Sequence, residues 1–164
     1  MKQVFIIVLA GLLAMPVVAQ ETAVETAETT EDLAEVAVEA PQITPLAAAE
    51  VSLADFLWLK RPIVIFADTP ADPRFQQQLG FLLERPEELL ERDVVLIIDS
   101  DPTAGSEIRK KLRPRGFMLT LIGKDGGVKL RKPFPWDVRE ITHAIDKWPL
   151  RKEELRAAKA LALE

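Results

Sequence analysis

Residues 61–99 read RPIVIFADTPADPRFQQQLGFLLERPEELLERDVVLIID. Pro62 to Ala67 is an unbroken apolar run rich in β-branched side chains, which predicts a strand buried on both faces. Asp72-Pro73 then supplies a helix N-cap with proline at the first helical position. From Pro73 a helix follows, with Phe75, Leu79, Leu82 and Leu83 at helical spacing. Pro86 ends it or opens a second short helix through Leu89 and Leu90. Asp93 to Ile98 repeats the apolar, β-branched pattern as a second buried strand. A strand, a helix and a strand in this order make a crossover unit, which pairs its strands in parallel.

Downstream, Ser106 to Leu112 predicts a short basic helix that stops near Pro114. Phe117 to Ile122 is a third strand. Lys124-Asp125-Gly126-Gly127 predicts a hairpin turn, because Asp-Gly supplies the positive φ angles that tight turns need. Val128 to Arg131 returns as a fourth strand. The last long helix starts at Trp136 or Asp137, with Val138, Ile141, Ile145 and Trp148 as its apolar stripe. Arg151 to Leu163 is a charged helix with Leu155 as its main anchor. Upstream, Leu53, Phe56, Leu57 and Trp58 suggest a short amphipathic helix capped by Ser52. The order βαβαββα predicts an α/β three-layer sandwich: two parallel crossovers plus an antiparallel edge hairpin. This is the element order of a thioredoxin-like or peroxiredoxin-like domain, and other small α/β sandwiches share it.

The 164 residues allow one domain, expected at residues 51–164. Residues 1–19 read as a signal peptide. Lys2 is followed by twelve apolar residues, Val4 to Met15, and Val17-Val18-Ala19 suits cleavage before Gln20. As a helix that run reaches ~18 Å, short of a ~30 Å hydrocarbon core. Residues 20–50, rich in Ala, Glu and Thr, lack aromatics and predict a disordered acidic linker. The expected location is the bacterial periplasm or the exterior, with no membrane span after cleavage. Residues 21–50 hold eight acids and no base, which leaves eighteen acids and twenty bases in residues 51–164. That balance argues against a nucleic-acid partner.

The chain has no cysteine and one histidine, His143. Thiol redox chemistry, disulfides and zinc–thiolate sites are therefore excluded, as is a multi-histidine metal centre. No cofactor and no metal is assigned.

The stretches RPIVIFADTPADPRFQQQLGFL, ERDVVLIID, RGFMLTLIGKDGGVKLR and WDVREITHAIDKWPLRKEE resemble an exported bacterial family of thioredoxin-like domains of unknown function. The family is called P-DUDES and is related to a domain of animal sushi-repeat-containing proteins. The resemblance spans Phe56 to Leu150 and implies a thioredoxin-like fold without an assigned activity. In redox members of that fold the reactive cysteine lies between the first strand and first helix. Here that loop is Asp68 to Arg74. Met118 falls where thioredoxins carry a cis-proline, which implies loss of the clamp on substrate backbone.

Three groups of residues are candidates for function. The first is the loop before the long helix. There Thr69, Asp72, Arg74 and Gln77 could form an anion or acidic-peptide site, with the helix amides and a planar guanidinium as donors. Alternatively, Asp72 caps the helix and Arg74 pairs with Asp68 or Asp72. The second is Asp99-Ser100-Asp101-Pro102-Thr103, which superficially resembles a phosphatase nucleophile motif but reads better as a turn and cap. The third is a basic set: Arg109, Lys110, Lys111, Arg113 and Arg115, with Lys129, Arg131 and Lys132. It is read as solvated surface. The leading expectation is a non-catalytic module binding a protein or peptide. The alternative is a thiol-independent enzyme using Asp68, Asp72 and Arg74 around a metal or anion.

Overall fold

The computed structural model describes residues 41–163. The expected signal segment and most of the expected linker lie outside the described residues. Five strands form one sheet in the order β1-β3-β2-β4-β5. They are β1 (Leu46–Ala47), β2 (Arg61–Phe66), β3 (Val94–Asp99), β4 (Met118–Ile122) and β5 (Val128–Lys132). Among the described residues five α-helices accompany them: α1 (Pro73–Glu84), α2 (Pro86–Leu90), α3 (Glu107–Leu112), α4 (Val138–Asp146) and α5 (Pro149–Leu161).

The apolar runs are continuous because helices cover both faces of the sheet. Side chains alternate along β2. Ile63 and Ile65 join Phe75, Leu82, Leu89 and Ile141 under α1, α2 and α4. Val64 and Phe66 point the other way, to Ile108 and Leu112 of α3. The Ser52-capped turn covers that second face as a 3-10 helix, Leu53–Phe56. Asp72 and Asp137 cap α1 and α4 as their sequence positions predict.

Four expectations need correction. First, the sheet reaches into the stretch read as linker. Leu46 and Ala47 pair in parallel with Ile97 and Ile98, and Ile43 and Ala48 are buried. This segment brings apolar side chains to the edge of β3. A chain starting at Val51 should therefore be about 2–3 kcal/mol less stable than one starting at Pro41, the scale of burying an isoleucine. Thermal unfolding of the two truncations measures this.

Second, only the first crossover is parallel. β3 runs parallel to β2, but β4 runs antiparallel to it. β4 begins at the sheet end where β3 stops, so it runs back against β2. Phe66 accordingly pairs with Asp99 on one side and Met118 on the other.

Third, the hairpin turn forms at Lys124 to Gly127 as predicted, but Asp125 does not take a positive φ. The Gly126 N–H donates to the Gly123 carbonyl, so Lys124 and Asp125 occupy the centre, and Gly126 alone takes the left-handed conformation, at φ +73°. Gly123 N–H then closes the loop on the Gly127 carbonyl.

Fourth, Leu155 does not anchor the last helix, being 44% exposed. Buried Arg151 and an ion pair from Glu154 to Arg61 do so. Trp148 is not part of the α4 stripe but precedes α5 at its N-cap position.

Candidate functional site

The C-terminal ends of β2 and β3 lie side by side, and the loop from Asp68 to Asp72 leaves β2 for α1. Asp72 caps α1 through a 2.8 Å bond from the Arg74 N–H. The Arg74 guanidinium turns back onto the same carboxylate, with Nη2 3.1 Å from Oδ2 and Nε 3.4 Å from Oδ1. Those hydrogen bonds and the positive charge hold the Asp72 carboxyl below its usual range. The guanidinium lies 5.4 Å from the centre of the Phe117 ring, a cation–π distance. The Arg74 side chain remains 52% exposed. Its Nη1 has no hydrogen bond among the described residues.

Thr69 closes the loop, its Oγ1 accepting from the Ala71 N–H at 3.3 Å. Gln76, which the sequence reading overlooked, donates to the Pro70 carbonyl at 2.6 Å. Gln77 is exposed on α1 and takes no part in this network. The structure thus brings Thr69, Asp72 and Arg74 together and leaves Gln77 outside.

Beneath the loop is a second network. Asp99, at the end of β3, is buried. It accepts from Ser106 Oγ at 2.5 Å and from Arg109 Nε at 2.9 Å. Arg109 Nη2 donates to the Ala67 carbonyl at 2.7 Å and the Asp99 carbonyl at 2.9 Å, and Nη1 lies 3.6 Å from Asp68. Arg109 therefore does not belong to the solvated basic set in which its sequence position placed it. It ties β2, β3 and α3 together at one end of the sheet. The available sequence signal was Asp99 itself, a carboxylate closing an apolar strand seven residues before a helix-capping serine.

Asp101 forms a cap and turn, accepting from the Thr103 N–H and hydroxyl. Its carboxyl is held low mainly by that hydroxyl. Among the described residues no group of three or more His, Cys, Asp or Glu could hold a metal ion. His143 is exposed on α4.

A model of the family described as Domain of unknown function (DUF4174) matches residues 52–154. Among solved structures, the chain is similar to chloroplastic thioredoxin z at 21% identity, covering 66% of this chain and 95% of that one with a TM-score of 0.50. Desulfothioredoxin from Desulfovibrio vulgaris Hildenborough is 21% identical over 65% of this chain and 99% of its own, with a TM-score of 0.48. The Plasmodium vivax 2-Cys peroxiredoxin is 18% identical over 58% and 81%, with a TM-score of 0.49. No curated protein matches. The fold is thioredoxin-like, and the sheet that builds it is free of cysteine.

Proposed function

The chain belongs to the DUF4174 family, and from that premise we propose that it is an exported, thiol-free thioredoxin-like module that binds carboxylate-bearing peptides through Arg74. P-DUDES is the finer grouping we propose for it within thioredoxin-like domains. The observation that carries the reading is the state of Arg74. Its guanidinium is oriented by Phe117 and Asp72, yet its side chain is half exposed at the sheet end where the resemblance places a reactive thiol. An oriented guanidinium presents a donor edge that matches a carboxylate. Asp72 occupies the inner edge and leaves the outer one to a ligand.

The test is selection from a random hexapeptide library. Wild-type protein should enrich Asp- and Glu-containing peptides. Arg74→Ala should bind the selected peptides about tenfold or more weakly, the scale of a charged hydrogen bond, with little change in melting temperature because the Arg74 side chain is half exposed and Asp72 keeps its bond from the residue-74 N–H. Selection of the same peptides by both proteins contradicts the reading. Export has its own check: intact mass of the secreted protein should place the N-terminus at Gln20, and a chain retaining residues 1–19 would refute cleavage there.

A further inference from the structure

The fold sorts the basic residues between α3 and the end of β5. Arg109 is the internal tie described above. Lys110 pairs with Glu107 at 2.7 Å and Lys129 with Asp125 at 2.6 Å. Lys132 lies 4.2 Å from the centre of the Trp136 ring. Lys111, Arg113, Arg115 and Arg131 remain. All four are exposed and have no ion pair among the described residues.

Their grouping comes from the packing of α3 on β5. Lys111 and Arg113 occupy the last turn and the cap of α3, and Arg115 follows before β4. Arg131 arrives from β5. Its Nη1 donates to the Leu112 carbonyl at 2.6 Å, which brings a distant cation onto the same helix end. Two carboxylates stand nearby, each directed to another cation. Glu107 holds Lys110, and Asp68, beside Gly116, lies 3.6 Å from Arg109 Nη1. Four uncompensated positive charges thus share one surface.

Arg113 supplies a second, independent observation. Its backbone is left-handed, at φ +49° and ψ +59°, where its N–H closes α3 onto the Arg109 carbonyl at 2.8 Å. Glycine takes that position at least cost, and Pro114 behind it restricts residue 113 toward extended backbone. The turn itself would be served better without a side chain. An arginine held there against local preference, with its side chain in water, points to a use for the guanidinium outside the fold.

We propose that Lys111, Arg113, Arg115 and Arg131 dock the domain on an anionic lipid surface. Exposed cations side by side suit an extended layer of headgroups rather than one discrete anion, and each strengthens attachment to such a layer by about fivefold. The balance of eighteen acids and twenty bases over residues 51–164 disfavours nucleic acid as the partner. None of the four cations belongs to the Arg74 loop, and the proposal does not rest on the peptide reading.

The experiment is sedimentation of the full chain with phosphatidylcholine vesicles, with and without about a third of phosphatidylglycerol. The readout is the ratio of the two binding strengths, which cancels any attachment common to both lipids. Wild-type protein should favour the anionic vesicles, and raised salt should abolish the preference. Arg113→Gly should reduce the ratio about fivefold while melting no lower than wild type, because glycine suits the positive φ. Arg113→Lys should keep most of the ratio. Arg113→Gly combined with Arg115→Gln and Arg131→Gln should remove the preference. Equal binding of wild type to both vesicles, an unchanged ratio in either glycine variant, or a lower melting temperature in Arg113→Gly alone would each overturn the proposal. Displacement from the anionic vesicles by an equal charge of duplex DNA would overturn it too, assigning the patch to nucleic acid.

Discussion

Glu154→Gln is expected to lower the unfolding free energy by about 3 kcal/mol, the lower end for breaking a buried ion pair. Arg61 opens β2 with its side chain only 1% exposed, and both Glu154 carboxylate oxygens accept from its Nη2 at 2.8 Å. Glu154 also lies 3.0 Å from Lys124, which in turn bonds Asp93 at 2.8 Å. Removing the carboxylate strands a charge sealed from water. Glu154 is itself a quarter exposed, which moderates the loss. Leu155→Ala, in the residue whose apolarity suggested an anchor, should cost under about 1 kcal/mol because that side chain is already largely in water.

The same network makes stability depend on acid. Partial burial pushes the Glu154 carboxyl up, but hydrogen bonds from Arg61 and Lys124 outweigh it and hold it below its ordinary value of 4.5. Asp93 and Asp146 behave alike: desolvation is overcome by Lys124 and by Arg92 respectively, so each lies below 3.8. A carboxyl depressed in the folded state binds fewer protons there than in the unfolded chain. Its contribution is complete above the ordinary carboxylate range and is lost as pH falls through the folded value. Melting temperature should therefore fall from about pH 5 downward, and less steeply in Glu154→Gln. Parallel melts of the two proteins with equal acid slopes would contradict the assignment.

Asp99→Ala is the second large effect, again about 3 kcal/mol. It removes the carboxylate that receives both Ser106 and Arg109 and leaves a guanidinium 13% exposed, with Asp68 3.6 Å away and itself in water. The double change Asp99→Ala with Arg109→Met should recover part of the loss, because no unpaired charge remains and the methionine stem still packs on Phe66, which the guanidinium now covers at 5.6 Å. Denaturant unfolding of the two singles and the double measures the coupling. A double mutant as unstable as the sum of the singles would show that the two side chains act independently.

These two networks mark the limit of what the chain discloses in sequence. β2, β3 and β4 are legible because burial on both faces imposes unbroken apolar runs, and α1 and α4 because their caps are local. Gln78 illustrates the opposite. It is fully buried, with its amide bonded to both the N–H and carbonyl of Trp136, fifty-eight residues away. No local pattern announces such a partner. Arg61 and Glu154 are ninety-three residues apart. A charge at the start of a buried strand was the only sign. β1 is two residues long and held by backbone pairing, so its side chains carried little periodic signal. In the candidate site, the cap and the Arg74–Asp72 contact follow from adjacency. The support from Phe117 and the Arg109 tie beneath it arise only once β3, α3 and β4 are packed.

The most direct test of the functional reading is a titration of isotope-labelled protein with a hexapeptide recovered from the acidic selection, following backbone amides and arginine Nε–H groups together. The account predicts saturable shifts confined to Thr69 through Gln76, Phe117 and the Nε–H of Arg74, with Arg109 unmoved. Shifts that leave Arg74 in place, or that gather at Trp58 and Trp148 instead, would contradict it.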